Sequence, residues 1–273
     1  MLISTNSGLY GNRTGKERYT LFESVQLCKA AGFEAIDVNF FASTYVGLRQ
    51  EHILEGDNWL ESVERLAKMI RENDLYCNSS HSPYRDLVLK GEKKEIYELY
   101  LHRSIEASAM VGAKYMVIHP LMDQTGDTLV EDTIACFRPW AKEASQTGVT
   151  LAMENMFSTQ PEQLLRICDA LKCVACWDTG HAHIRTEKQD DDIRMMGDYI
   201  KVLHIHDNYG TMDNHNPPYF GNIDWQNVIS ALHDIHFAGT FNYEVNATAL
   251  PEGAREDISR YLVTVGKLFV QDI

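Results

Sequence analysis

Two stretches decide the fold: VACWDTGHAHI at residues 174–184 and VLHIHDN at residues 202–208. Each starts as a short apolar run and stops on acids and imidazoles. Asp178 and His181 end the first, and His204, His206 and Asp207 end the second. An apolar run of four to eight residues bounded by polar groups reads as a strand covered on both faces, the pattern of a parallel sheet. The polar groups then mark the carboxyl end of each strand.

The same reading recurs outward in both directions. Strands are expected at Leu2–Ser4, Ala35–Asn39, Leu75–Ser79, Tyr115–His119, Thr150–Glu154, Val174–Asp178, Val202–His206 and Thr240–Val245. Amphipathic stretches lie between them, as in Trp59, Leu60, Val63, Leu66, Ala67 and Ile70 at helical spacing. Further helices are expected at about Lys93–Met110, Glu131–Ser145, Pro161–Leu171, Trp225–His236 and Arg255–Phe269. Gly32, Gly112, Gly148 and Gly239 each precede the next strand by two or three residues, as helix C-caps followed by a short loop would. Eight β/α units at roughly 34 residues each fill the 273-residue chain as one α/β domain over residues 1–273, a (β/α)8 TIM barrel. A doubly wound sheet would carry a Gly-rich phosphate turn after its first strand. The run GLYGNRTGKE from Gly8 has neither GxGxxG nor GxxxxGK[ST] spacing, and reads as an ordinary loop.

Composition excludes several classes. The chain is 44% hydrophobic and 10% aromatic, which is incompatible with disorder. Its net charge of −14, from 25 Lys+Arg against 39 Asp+Glu, has no compensating basic block, so nucleic acid is not the expected partner. No run of 18 apolar residues occurs, and the first 20 residues lack the basic and apolar regions of a signal peptide. A cytoplasmic protein with no membrane association is expected. Its six cysteines are then reduced thiols, and Cys173-x-x-Cys176 lacks the second half of a zinc site.

The chemistry gathers at the strand ends: His81 in NSSHSPY, His119 in VIHP, Glu154 in LAMEN, Asp178 and His181, His204 and His206, Asp213 and His215 in MDNHN, and Glu244 in YEVN. The carboxyl mouth of such a barrel is where active sites lie. One histidine after a strand is an ordinary hydrogen-bonding residue. Several acids and imidazoles at one mouth leave uncompensated charge that a cation satisfies. Carboxylates and imidazoles without thiolate suit Mn²⁺, Zn²⁺, Co²⁺ or Fe²⁺ as the divalent cofactor.

The motifs VIHP, LAMEN, WDTGHAHI, HIHDN with DNHNPP and GNIDW, and YEVN together resemble the xylose-isomerase-like TIM-barrel superfamily, over nearly the whole chain from Gly32 to Glu244. That superfamily includes sugar and sugar-phosphate isomerases and epimerases, inosose-type dehydratases and metal-dependent apurinic endonucleases. In the isomerase branch the resemblance implies one divalent metal held by Glu154, Asp178, His204 and Glu244. His204 is preferred to His206 because the family pattern His-x-x-Asp matches His204 to Asp207. In the endonuclease branch two more metals are implied, for which His81, His119, His181, Asp213 and His215 are available. The run PPYFGNIDW replaces a Gly-Glu-Gly of many relatives.

The expected enzyme is a metal-dependent isomerase or epimerase of a small sugar, sugar phosphate or polyol. The metal stabilises an enediolate. Glu154 and Glu244 transfer the proton, as the resemblance implies, and His181 orients substrate or shuttles a proton. Trp177, Tyr84, Phe157 and Tyr219 are candidates for an apolar wall, and Arg13, Lys16, Arg49 and Arg185 for mouth-side cations. The rival is a multinuclear phosphodiesterase. A dehydratase on the same site and a non-enzymatic metal-binding protein are further alternatives, and a homo-oligomer is an open expectation.

Overall fold

A computed structural model of the chain describes residues 1–11, 19–40, 53–83, 92–121 and 125–273. Eight strands alternate with helices along it. They are β1 (Ile3–Asn6), β2 (Ala35–Asn39), β3 (Tyr76–His81), β4 (Tyr115–Ile118), β5 (Thr150–Glu154), β6 (Val174–Asp178), β7 (Ile200–His204) and β8 (Phe241–Tyr243). The helices are α1 (Leu21–Ala31), α2 (Trp59–Glu72), α3 (Glu92–Val111), α4 (Gly126–Thr147), α5 (Pro161–Leu171), α6 (Thr179–Arg185), α7 (Gln189–Met196), α8 (Trp225–Asp234) and α9 (Glu252–Phe269).

All strand pairs are parallel and run in the order β7-β6-β5-β4-β3-β2-β1-β8. The two outer strands meet where Ile205 pairs with Tyr243. There Ile205 N–H donates to Asn242 O at 2.9 Å and Glu244 N–H donates to Ile205 O at 3.0 Å. The sheet thus closes into the expected (β/α)8 TIM barrel, with no exposed edge to manage.

Local sequence explains the ends. Thr20 and Glu23 form a reciprocal capping box at the start of α1, and Pro161 opens α5. Gly32 and Gly148 end α1 and α4 at φ 98° and 85°, and Gly112 follows α3 at φ 87°. Gly239 is different. After α8 the left-handed residue is His236, at φ 52°. Gly239 is needed instead for close approach, because a Cβ there would lie 2.8 Å from Lys201 O. Strand β7 begins two residues before the expected Val202, with Lys201 interrupting the apolar run. It stops at His204, and β4 and β8 stop at Ile118 and Tyr243. His119, His206 and Glu244 therefore lie just beyond their strands.

Period-two alternation sorts the side chains. Val117, Ala152, Cys176 and Val202 form a small cluster of their own inside the barrel. Met153, Trp177, Leu203 and Ile205 belong to the larger core between sheet and helices. Two residues beyond Ala152, Cys176 and Val202, on the same inward face, come Glu154, Asp178 and His204. Among the described residues no helix is long and apolar enough to cross a membrane.

Candidate metal centre and active site

The strands deliver the acids and imidazoles to one ring. Glu154, Asp178, His204 and His81 are the last residues of β5, β6, β7 and β3. Ligand atoms of Glu154, Asp178, His204 and Glu244 all lie within 4.8 Å of one another. His204 Nδ1 sits between the two glutamates, 3.3 Å from Glu154 Oε1 and 3.0 Å from Glu244 Oε2. Glu154 is almost fully buried and also faces His181 Nδ1 at 3.3 Å, His119 Nε2 at 3.1 Å and His81 Nε2 at 3.4 Å. A second group, His206, Asp213 and His215, brings its ligand atoms within the same limit. His181 Nε2 reaches toward that group, 3.3 Å from Asp213 Oδ2.

The segment after β6 fixes Asp178. Asp178 caps α6: its Oδ1 accepts from His181 N–H at 2.6 Å. Its Oδ2 accepts from His206 Nε2 at 2.9 Å. Asn155 bridges from β5, its Oδ1 accepting from Asp178 N–H at 2.6 Å and its amide donating to Asp178 O at 2.9 Å. Asn155 O also accepts from His181 Nδ1 at 3.0 Å. Thr179 Oγ1 donates to His206 O at 2.8 Å. A Cβ on Gly180 would overlap the His206 ring, so this turn is glycine by necessity.

Charge separates cleanly across the ring. Burial alone would raise the Glu154 carboxyl, but the His204 and His119 imidazoles hold it well below the usual carboxylate range. Burial likewise opposes ionisation of Glu244, and His204 overrides it. Asp213 is held low by its bonds to His181 and His215. Among the histidines, burial disfavours the charged form, but the surrounding carboxylates raise His181 well above normal and His215 to about 9, and Cys176 together with Glu244 and Glu154 raises His204 well above normal. His119 goes the other way, lowered by burial. The ring is an array of ionised carboxylates that draws positive charge onto its imidazoles.

A divalent cation fits this donor set. Both ring nitrogens of buried His204 and Oε2 of Glu154 make no well-aligned hydrogen bond among the described residues, although His204 Nδ1 and Glu154 Oε2 stand 3.0 and 3.1 Å from Glu244 Oε2 and His119 Nε2. Orphaned polar atoms this deep need an explanation, and a cation shared by carboxylates and imidazole supplies one.

The family model described as a xylose isomerase-like TIM barrel matches residues 25–263. The chain belongs to this family. An uncharacterized protein of Sinorhizobium fredii is 26% identical over 160 residues, covering 53% of this chain and 51% of that protein. The match thus spans about half of that relative's length. A probable endonuclease 4 of Staphylococcus carnosus is 24% identical over 208 residues, covering 63% of this chain and 67% of its own length. Among solved structures, D-psicose 3-epimerase in the presence of D-fructose superposes with a TM-score of 0.75 at 14% identity, covering 98% of this chain and 99% of that one. The IolI protein with a bound zinc atom gives 0.75 at 16% identity, covering 97% and 98%. These likenesses to solved structures establish the shared fold.

Around the centre of this xylose isomerase-like barrel, the residues expected to form a wall divide. Phe157 is half-exposed and meets His181 edge-on, with ring centroids 6.1 Å apart. Tyr219 is exposed and packs against Phe269 of α9 at 5.7 Å. Trp177 does not belong to the mouth. It alternates outward between Cys176 and Asp178 and is buried against the helices, where truncation to Ala would cost about 3–5 kcal/mol. Arg185 is committed to Asp192. Tyr84, Arg13, Lys16 and Arg49 lie outside the described residues.

Asp207 organises the loop that carries Asp213 and His215. Its carboxylate accepts from Tyr219 N–H at 2.9 Å, Ile223 N–H at 3.2 Å and Trp225 Nε1 at 3.0 Å. The His-x-x-Asp pattern thus pairs a histidine of the central ring with a loop anchor. His206, the alternative to His204, bonds Asp178 and joins the second group rather than the central four. Sequence reading missed Asn155 and Thr179, which hold Asp178 and His206, and Asp37 of β2. Asp37 is fully buried, its Oδ2 accepting from Ser79 Oγ at 2.5 Å. A carboxylate in the middle of a doubly covered strand was the available signal.

Proposed function

We propose that the chain is a metal-dependent isomerase or epimerase of a small sugar or polyol, working by proton transfer between Glu154 and Glu244. The observation that carries this reading is the placement of those two carboxylates, from the ends of two different strands, β5 and β8, both within ion-pair reach of His204 Nδ1 at 3.3 and 3.0 Å. A divalent ion held by Glu154, Asp178, His204 and Glu244 would polarise a substrate carbonyl as a Lewis acid. Glu154 and Glu244 are both held ionised. One takes the proton from the carbon beside the carbonyl; the other gains a proton from water and delivers it to the product, and the first then releases its proton to solvent. His181 faces the same space, held by Asn155 O and Asp213, and orients a substrate oxygen. Phe157 covers His181 and offers an apolar face to a sugar ring. The similarity to a D-psicose 3-epimerase fold is in keeping with this chemistry.

The test is turnover of ketoses, ketose phosphates and inososes by metal-loaded protein in deuterated water, followed by proton NMR. Deuterium should enter the carbon next to the carbonyl. Glu154→Gln or Glu244→Gln should lower kcat by about 10²–10⁴-fold. Active enzyme giving product without deuterium would replace the glutamate relay by a hydride shift between adjacent carbons. Loss of water from an inosose would move the activity to a dehydratase.

A second reading, a multinuclear phosphodiesterase, draws on the groups flanking the central four. His81 and His119 lie within 3.4 and 3.1 Å of Glu154 Oε2, and His206, Asp213 and His215 form a group of their own. Against it stands the net charge of −14, which repels a phosphate backbone.

A further inference from the structure

Beneath the ring the barrel interior has two unlike halves. On β4–β7 it is lined by Val117, Ala152, Cys176 and Val202. On β8 and β2–β3 it is polar: Asn242, Asp37 and Ser79, all buried. Asn242 lies two residues below Glu244 on the same face. Because Ile205 pairs with Tyr243, Asn242 is also the register neighbour of His204.

These polar groups are unsatisfied. Asp37 Oδ1, both amide atoms of Asn242 and His204 Nε2 are buried with no hydrogen-bond partner among the described residues. Ser79 Oγ satisfies only Oδ2 of Asp37. The Cys176 thiol also lies against His204, but sulfur is a weak acceptor. Leaving this many buried groups unpaired is destabilising, and a purely structural core would replace them with apolar side chains. A histidine that offers one ring nitrogen to a metal normally donates its other N–H to a carboxylate, a carbonyl or water, which fixes the ring's orientation.

We infer that Asp37 and Asn242 form an internal polar pocket that orders water against Nε2 of His204, so that Asp37 is a positioning residue for the histidine of the central ring. The His204 Nε2–H donates to the water and the water donates to Asp37 Oδ1. Asn242 completes the water's bonds from the neighbouring strand. His204 Nδ1 is thereby kept turned to Glu154 and Glu244. This inference rests on the proposed metal centre for its purpose, but the hydrogen bond it describes exists with or without a metal.

The test uses the full chain, ¹⁵N-labelled at histidine, with wild type compared with Asp37→Ala, Asp37→Asn and Asn242→Leu. In chelator-treated protein the His204 Nε2–H proton should resonate downfield in wild type. It should move upfield or vanish by exchange in Asp37→Ala, and return toward wild type in Asp37→Asn, which keeps an acceptor oxygen. Zn²⁺ affinity by chelator competition should fall about 10–100-fold in Asp37→Ala. Asn242→Leu, close to Asn in size, should shift both readouts the same way and serves if Asp37→Ala does not fold. An unchanged ring proton in a folded Asp37→Ala or Asn242→Leu variant would overturn the inference. Wild type that binds no Zn²⁺ or Mn²⁺ would instead overturn the metal centre, while the ring proton still decides the role of Asp37.

Discussion

His206 Nε2 donates to Asp178 Oδ2 over 2.9 Å, while the His206 ring stacks on His215 with centroids 4.1 Å apart. One imidazole thereby ties the central four residues to the second group. It is held from below by the backbone of Gly180, whose missing Cβ makes room for it. His206→Ala should cost about 1–3 kcal/mol in chemical denaturation of metal-free protein, because it strips a buried carboxylate of its partner. Gly180→Ala should cost a similar amount by overpacking. Both should weaken metal binding about 10–100-fold through Asp178. Folded variants with unaltered metal affinity would show that His206 does not position Asp178.

Metal content follows from the ring itself. Elemental analysis of protein purified without chelator should show about one equivalent of divalent metal or more, with thermal stability rising by RT ln(1 + [L]/Kd), about 4 kcal/mol at 1,000 Kd. Glu154→Gln should lower the content. Full stoichiometric metal in a Glu154→Ala, Glu244→Ala double variant would remove these glutamates from the ligand set.

The pH dependence of stability should reverse sign with metal. In chelated protein the raised histidines, His181, His204 and His215, contribute stability below their unfolded value near 6.5 and lose it as pH rises through their folded values. His215 places part of that loss between about 6.5 and about 9. The depressed carboxylates of Glu154, Glu244 and Asp213 act oppositely, stabilising above their unfolded values and failing only in acid. Chelated protein should therefore weaken from pH 6.5 to 9 in urea titrations. Metal binding requires neutral imidazole, so affinity should rise over the same interval. Parallel slopes with and without metal would contradict this.

The contrast between Trp177 and Asp37 shows what the sequence reveals and what it hides. Strand ends were legible because an apolar run stopping at Glu154, Asp178 or His204 is a local signal, and period two carries each of them to the inner face. The same alternation places Trp177 outward, on the side opposite Cys176 and Asp178, yet its position within WDTGH invites a mouth-side role. Asp37 gives no end-of-strand signal: AIDVN reads as a covered strand with one odd residue. Asp207 reads in sequence as one more polar residue at the end of a strand, beside His206. Only the closure of residues 207–225 onto its carboxylate reveals a loop anchor. Which imidazole bonds Asp178 depends on the close approach of the His206 ring to Gly180 of α6, a tertiary contact that spacing does not encode.

The flanking groups make the nucleic-acid question an experiment in its own right. If the centre serves a small sugar or polyol, a duplex containing an abasic site should bind negligibly at physiological salt. Nicking should be absent with Zn²⁺, Mn²⁺ or Co²⁺. A chain of net charge −14 pays for every phosphate it approaches, and a binding face would have to neutralise several of them. His119→Ala and His215→Ala, which leave the central four residues intact, should then retain most isomerase or epimerase activity and most of the single-ion affinity. In the phosphodiesterase alternative the same variants would abolish cleavage, because displacement at phosphorus draws on ions on both sides of the scissile bond. Binding would also fall steeply with salt, with a log–log slope of about −0.9 per phosphate contacted. Metal-dependent nicking that is lost in both variants, together with such a slope, would give the site to phosphodiester hydrolysis and make His81, His119, Asp213 and His215 ligands rather than neighbours.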